Sequence, residues 1–292
     1  MDTAAPHILP LAQAPVGEHD RRLIETVHPP SWSNPKPAGS YHLVVLGAGT
    51  AGLVTAAIGA ALGARVALVE RDLMGGDCLN VGCVPSKAVI RAARAWKAAE
   101  EASERFSGPK AAGGGDFAGV MERMRRIRAD LSPVDGARRF RDELGVDVFL
   151  GEGRFVAGDA LEVGGARLRF RRAVIATGGR AHAPDIDGLA DSGYLTNETV
   201  FSLTELPEHL VIIGGGPIGC EGAQAFARLG GRVTLLESGD RLLPHDDPDA
   251  ASVVADALGR EGVEVVRGAC VERVRGEGAA IDIRWTRGGA ED

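Results

Sequence analysis

A chain of 292 residues is long enough for two domains with cores of their own. Its 45% hydrophobic and 25% charged content is that of an ordinary globular protein, and a formal charge of -7 argues against nucleic acid as the main partner. No apolar run approaches the roughly 18 residues of a membrane span, the start at Asp2 lacks the basic segment of a secretory signal, and four cysteines make no structural disulfide framework, which fits a reducing cytoplasm.

Residues 1–40 hold seven of the fifteen prolines, including Pro29, Pro30, Pro35 and Pro37. That density predicts an extended leader with at most one short helix, over Arg21–Val27. The run His42–Leu46 then has the character of a buried strand. Gly47-Ala48-Gly49-Thr50-Ala51-Gly52 follows, an alanine-rich helical stretch continues to Gly63, and Arg65–Glu70 reads as a second strand ending in an acid. This is a dinucleotide fingerprint in its full context. Gly47, Gly49 and Gly52 permit a tight turn and close pyrophosphate approach, and Glu70 receives a ribose hydroxyl.

Met74 to Lys87 organises the rest. Cys78 and Cys83 are five apart, Gly75 and Gly76 precede them, Gly82 lies between, and Lys87 comes four residues later. Residues five apart on a helix rise about 7.5 Å, while a disulfide needs Cα atoms about 4.4–6.8 Å apart. Gly82 can relax the turn so that the sulfurs meet, and Pro85 suits the first turn of a following helix. The sulfurs then lie near a helix N-terminus, which stabilises a thiolate. Taken alone, the pair fits a redox-active dithiol and two ordinary buried cysteines equally well.

A long helix is expected from Ser86 to about Phe106, with Lys87 one turn beyond Cys83, then a loop over Ser107–Asp116. One or two charged helices follow over Val120–Leu144, whose arginines from Arg123 to Arg141 read as solvated faces. Val146–Leu150, Gly153–Val156 and Leu168–Phe170 look like strands. Ala173–Ile175 reads as a buried strand running into Ala176-Thr177-Gly178, small residues that allow close approach to a ligand or a crossover to a second domain.

A second fingerprint opens after Leu210–Ile213. It comprises Gly214, Gly216 and Gly219, a helix through Ala223–Leu229, and a strand ending in Glu237. Aligned with the first copy, 12 of the 27 positions of Val44–Glu70 and Val211–Glu237 are identical, including the three glycines and the acid. In both copies the acid lies 18 positions after the last glycine. A helix over about Asp247–Glu261 and strands at Val263–Val266 and Ile281–Trp285, read as one small sheet, complete the pattern. Cys220 and Cys270 read as isolated buried thiols, and His245 as a loop residue. Two dinucleotides and one dithiol form a short electron path from nicotinamide through flavin to sulfur.

The segment Gly75–Lys87 resembles the active-site segment of the class I pyridine nucleotide–disulfide oxidoreductases, and the fingerprints, Ala176-Thr177-Gly178 and the cysteines occur in that family's order. His28-Pro29-Pro30 and Gly214–Glu221 are most similar to mercuric reductases and mercuric-reductase-like members. The resemblance implies an α/β fold of two Rossmann-like three-layer units, the second inserted in the first. A FAD-binding part spans 41–180 and an NAD(P)-binding part 181–292, with the C-terminal interface domain absent. It implies FAD held by Gly47, Gly49, Gly52, Glu70, Gly76, Ala176, Thr177 and Gly178, and NAD(P)H held by Gly214, Gly216, Gly219 and Glu237. Cys83 would face the flavin, Cys78 would meet substrate, and Lys87 and Glu221 would pair beside the ring. No resident metal is implied. A carboxylate at Glu237 repels a 2′-phosphate, so NADH is expected over NADPH, with Arg241 as the nearby counterweight. Pro217 stands where the family often has an aromatic gate.

The expected substrate is a small molecule or metal ion, Hg(II) or a disulfide, with dihydrolipoamide dehydrogenase as the alternative activity. Full-length members are expected to be homodimers. This chain is expected to stop before the last part of the family's architecture, with its His–Glu pair, and therefore to expose apolar surface. A non-enzymatic alternative is a cofactor-binding remnant or interaction module.

Overall fold

A computed structural model describes residues 17–37, 39–109, 115–277, 280–287 and 290–291. The start of the leader, and residues 110–114 of the loop expected over Ser107–Asp116, lie outside the described residues. The described part of the leader holds the one short helix expected of it, begun three residues earlier. Glu18–Val27 forms helix α1, its stripe of Asp20, Leu23 and Val27 buried. Full burial of Leu23 and Val27 contributes about 1.5–3 kcal/mol each. Beyond it, Trp32 Nε1 donates to the Val148 carbonyl at 3.2 Å, and Asn34 exchanges two hydrogen bonds with the Leu150 backbone. Between α1 and Ser40 there is no further helix or strand among the described residues, as the proline density predicts, and side chains bind this stretch to the body.

The first fingerprint folds into β1 (Ser40–Leu46), α2 (Thr50–Ala61) and β2 (Val66–Glu70). Then come α3 (Gly76–Asn80), α4 (Cys83–Phe106), α5 (Phe117–Leu131), a 3-10 turn over Ser132–Asp135 and α6 (Ala137–Asp142). Strands β3 (Asp147–Leu150), β4 (Gly153–Ala157), β5 (Ala160–Val163) and β6 (Ala166–Ile175) complete a six-stranded sheet in the order β3-β2-β1-β6-β5-β4. Strand β6 serves two purposes. Its start pairs antiparallel with β5, while its remainder runs parallel to β1 from Ser40↔Arg169 to Leu46↔Ile175. Alternation along the strands sends Val45, Leu68 and Val148 to a core shared with α1 and α2. Val44, Ala67 and Phe149 face Leu161, Val163 and Leu168 of the antiparallel strands, giving helices, parallel sheet and antiparallel strands in three layers.

Residues after α7 (Asn197–Val200) repeat the motif as β7 (His209–Ile213), α8 (Pro217–Arg228) and β8 (Arg232–Glu237). α9 (Pro248–Arg260) and β9 (Glu264–Arg267) add a third parallel strand, in the order β7-β8-β9. β10 (Ala269–Glu277), β11 (Ala280–Arg287) and β12 (Ala290–Glu291) form a separate antiparallel meander. The single small sheet expected over 263–285 is thus divided: β9 extends the parallel sheet, and β11 pairs with β10. A core of Ala88 and Ala93 from α4, Met121 and Met124 from α5, and Ala223 and Phe226 from α8 joins the two halves of the chain.

Further corrections follow from burial. Ala173–Ile175 is hydrogen-bonded within the sheet but its face is open, with Ile175 69% exposed. Cys270 is exposed, because β10 lies in the open meander; Cys220 is buried as expected. Arg125 and Arg128 are buried, not solvated, because they sit on the side of α5 that carries Met121 and Met124.

Candidate functional site

The two Gly-rich loops share their backbone conformation and hydrogen bonds. Gly47 and Gly214 take φ of 103° and 108°, a region that favours glycine. Each donates its N–H to the strand carrying the acid, Gly47 to Val69 O and Gly214 to Leu236 O, both at 2.8 Å. A methyl on Gly52 would overlap the Gly47 carbonyl, and one on Gly219 the Gly214 carbonyl. The protein's own packing therefore demands the third glycine of each loop. It does not demand the second. A side chain on Gly49 would meet only Gly76 Cα at 3.7 Å, and one on Gly216 would meet nothing within 4 Å. Glycine at those positions leaves an open cradle at the start of α2 and of α8, where backbone N–H groups are free to bind an anion.

The acids behave alike. Glu70 accepts from Ala48 N at 2.6 Å and Asp72 N at 2.8 Å, and Glu237 from Gly215 N and Gly239 N, both at 2.7 Å. Each carboxylate thus clips its loop to the end of its second strand, where it can also accept from a ribose hydroxyl. Arg241 does not oppose Glu237, for its guanidinium donates to Asp246 O at 3.0 Å and Pro244 O at 2.5 Å. The residues present fit two dinucleotides.

Ala176 sits against the first loop, its N–H donating to Leu46 O at 2.8 Å and its carbonyl filling the place of a Gly47 side chain. Thr177 and Gly178 follow, both exposed. The cysteine segment reaches the same loop from the other direction. Gly75 N donates to Ala48 O at 2.8 Å, and a methyl on Gly76 would come within 2.6 Å of Gly49 Cα.

Between the cysteines the helix breaks as the spacing requires. α3 carries Cys78 and ends at Asn80, Val81 and Gly82 turn the chain, and Cys83 opens α4. Gly82 is needed for closeness, since a methyl there would be 2.8 Å from Asp77 O. α4 begins three residues earlier than expected, because Pro85 is accommodated in its first turn. The Cys78 thiol is pushed up by partial burial, then by its hydrogen bond to Cys83, with the Asp135 charge adding a little. Burial likewise raises the Asp135 carboxyl.

Lys87, four residues along α4, pairs with Glu221 of α8, Nζ to Oε1 at 2.7 Å. Their side chains are 61% and 44% exposed, so the pair contributes little to stability. It nonetheless places a charge from each half of the chain beside the helix that starts at Cys83. The structure thus brings Cys78, Cys83, Gly76, Ala176 and the first loop together, and Lys87 with Glu221.

Sequence reasoning missed Asn80, whose Nδ2 donates to Met74 O at 3.1 Å and Gly76 O at 2.9 Å and so folds the cysteine segment on itself. It also missed Arg128 behind Asn80, and Arg180, which links Asp72 at 3.2 Å to Glu198 at 2.7 Å. A signal existed for Arg128, which follows Met121 and Met124 at helical spacing on one stripe. Among the described residues no cluster of three His, Cys, Asp or Glu side chains is placed to hold a metal ion, and no helix is long and apolar enough to cross a membrane.

Comparison with known proteins agrees with this geometry. A family model described as pyridine nucleotide-disulphide oxidoreductase matches residues 41–291. The chain belongs to that family. It is 35% identical over 254 residues to a mercuric reductase of Lysinibacillus sphaericus, covering 87% of this chain and 46% of the relative. It is 32% identical to a dihydrolipoyl dehydrogenase of Acholeplasma laidlawii, covering 80% of this chain and 70% of that one. The HOCl-induced flavoprotein disulfide reductase RclA of Escherichia coli superposes with a TM-score of 0.72 at 30% identity, over 86% of this chain and 54% of RclA. The chain spans about half the length of the mercuric reductases it matches.

Proposed function

We propose that this chain carries the nucleotide- and dithiol-bearing part of an NAD(P)H-dependent flavoprotein that passes electrons through Cys78 and Cys83 to Hg(II) or to a disulfide. Residues 41–180 hold FAD and 181–292 hold the nicotinamide nucleotide. The observation that carries this reading is the contact between the cysteine segment and the first loop, through the Gly75 N to Ala48 O bond and the Gly76–Gly49 approach. A nucleotide cradled at Gly49 lies next to the backbone that carries the sulfurs.

Bound FAD supplies the two-electron relay between nicotinamide and sulfur. The chain's residues do the rest. Gly47, Gly49 and Gly52 with Glu70 hold one nucleotide, and Gly214, Gly216 and Gly219 with Glu237 hold the other. Cys83 opens α4 and is the sulfur assigned to the flavin side, while Cys78 meets the substrate. Its raised thiol keeps a proton on Cys78 Sγ at neutral pH, so exchange begins when that proton leaves. Lys87 and Glu221 set opposite charges from the two halves of the chain beside the cofactor ring. A soft metal ion is suited to the same two sulfurs, which makes it a substrate of the dithiol.

NADH is favoured over NADPH because Glu237 stands at the ribose position and Arg241 is bound within its own loop. The dihydrolipoyl dehydrogenase similarity favours lipoamide as the second candidate substrate. Anaerobic titration of the purified protein with NADH in the presence of FAD tests the scheme. Bleaching of the flavin band with new long-wavelength absorbance, lost in Cys83→Ser, supports it. A protein that takes up no FAD overturns it and leaves a remnant. Turnover with Hg(II) against lipoamide then separates the two substrates.

A further inference from the structure

Asn80 lies between the two cysteines, and its carbonyl is the last of the five-residue helix that carries Cys78. Such a terminal carbonyl has no helical partner. Arg128, reaching from α5, donates Nη1 to it at 2.6 Å and Nη2 to Asp20 Oδ1 of α1 at 2.7 Å. All three residues are buried, Asp20 at 0%, Arg128 at 2% and Asn80 at 4% exposure. Arg125 stands on the other side of the carboxylate, Nε to Oδ2 at 3.9 Å, and donates Nη2 to Leu203 O at 2.8 Å.

A buried ion pair of this kind is a poor stabiliser, since desolvation consumes most of its attraction. It is a good positioning device. A guanidinium is a rigid planar fork, so the place of Asp20 dictates the place of the Asn80 carbonyl. That carbonyl is two residues after Cys78 and three before Cys83. A disulfide tolerates only a narrow range of separations, whereas two thiols tolerate a wide one. Both thiols are free in this structure and hydrogen-bonded to each other, so the held turn keeps the sulfurs within reach of a disulfide, and loosening it favours the dithiol.

We propose that Asp20 and Arg128 are positioning residues that set the dithiol–disulfide equilibrium of Cys78 and Cys83. The inference rests on the redox reading of the two cysteines and adds to it a control element from the N-terminal helix, outside both nucleotide units.

Equilibration of the purified protein with glutathione buffers tests it. Glutathione disulfide accepts two electrons and two protons from Cys78 and Cys83, giving two glutathione thiols and one protein disulfide. The dithiol is then trapped by alkylation and counted by mass spectrometry. Asp20→Asn and Arg128→Lys should each move the equilibrium about tenfold toward the dithiol, which is about 30 mV for a two-electron couple. Arg128→Lys keeps a cation against Asp20 and so keeps the fold, but a single ammonium lacks the fork. Leu258→Ala on α9, a core lesion far from the turn in sequence, should lower the melting temperature and leave the equilibrium alone. A folded Arg128→Lys protein whose equilibrium is unchanged, or moved toward the disulfide, overturns the proposal. If the wild-type protein shows no dithiol–disulfide couple, the redox reading falls and this proposal with it, whereas a couple indifferent to Arg128 removes only the proposal.

Discussion

The two dinucleotide units share a loop, a helix, an acid and the same pattern of hydrogen bonds, yet they are embedded differently. In the first, β1 is flanked by β2 and β6, and Ala176 presses its carbonyl onto Gly47. In the second, β7 pairs with β8 alone among the described residues, and a side chain on Gly214 would meet nothing within 4 Å. The shared part is what a nucleotide needs; the differing part is what surrounds it. Duplication preserves the contacts inside a motif while leaving its borders free to change.

Substitutions can break this comparison, and the third glycines give the largest effect. Gly52→Ala and Gly219→Ala both drive a methyl into a backbone carbonyl, so each should destabilise by roughly 3 kcal/mol in thermal unfolding. Gly47 and Gly214 should then separate. Both lose a left-handed position, which costs about 1–3 kcal/mol, but only Gly47→Ala also strikes the Ala176 carbonyl. It should therefore be the worse by about 2 kcal/mol, and equal losses would show that the β6 contact is slack.

Gly49→Ala and Gly216→Ala should alter stability by less than about 1 kcal/mol, since the protein leaves room for the methyl. Each should weaken only its own nucleotide, Gly49→Ala the FAD and Gly216→Ala the NADH, by about tenfold or 1.4 kcal/mol in calorimetric titration. Loss of both affinities from one substitution would mean that the sites are not separate.

The smallest effects concern exchange and labelling. Amide hydrogen exchange should be faster along β7 than along β1, because among the described residues one edge of β7 has no strand beside it. The thiols of Cys78 and Cys220 are both raised, burial being the first cause in each. A raised thiol stays protonated at pH 7 and becomes a thiolate only above the usual range near 8.5. Alkylation of Cys78 should therefore climb only at a pH above that at which an ordinary thiol reacts, with buried Cys220 the last to react. Rapid labelling of Cys78 at pH 7 would contradict this.

The repeated units were legible because glycines at fixed spacing, an apolar strand before them and an acid after them are all local signals. Glu70 and Glu237 could be found by counting. The Asp20–Arg128 pair could not, since its members are separated by 108 residues, Asp20 falls outside the short helix expected over Arg21–Val27, and the arginines around Arg128 read as solvated faces. Only the apolar stripes on which they fall, Leu23 with Val27 and Met121 with Met124, betray them. β10 escaped notice for a different reason. Its register shifts between Val271 and Arg273, which breaks the alternation that identifies a strand. Lys87 and Glu221 were suggested by resemblance rather than by any pattern, for an exposed ion pair between distant helices leaves none.

Shortening the N-terminus would therefore be a poor way to tidy this protein. A proline-dense beginning invites removal, but a cut past Asp20 would strand Arg125 and Arg128 in the interior with no carboxylate between them, and breaking a buried pair in this way costs about 3–5 kcal/mol. The damage would surface at a distance, in the turn that carries the sulfurs, while both nucleotide loops stayed intact in sequence. Tolerance to trimming here is decided by what a residue neutralises and not by how near it lies to the end of the chain.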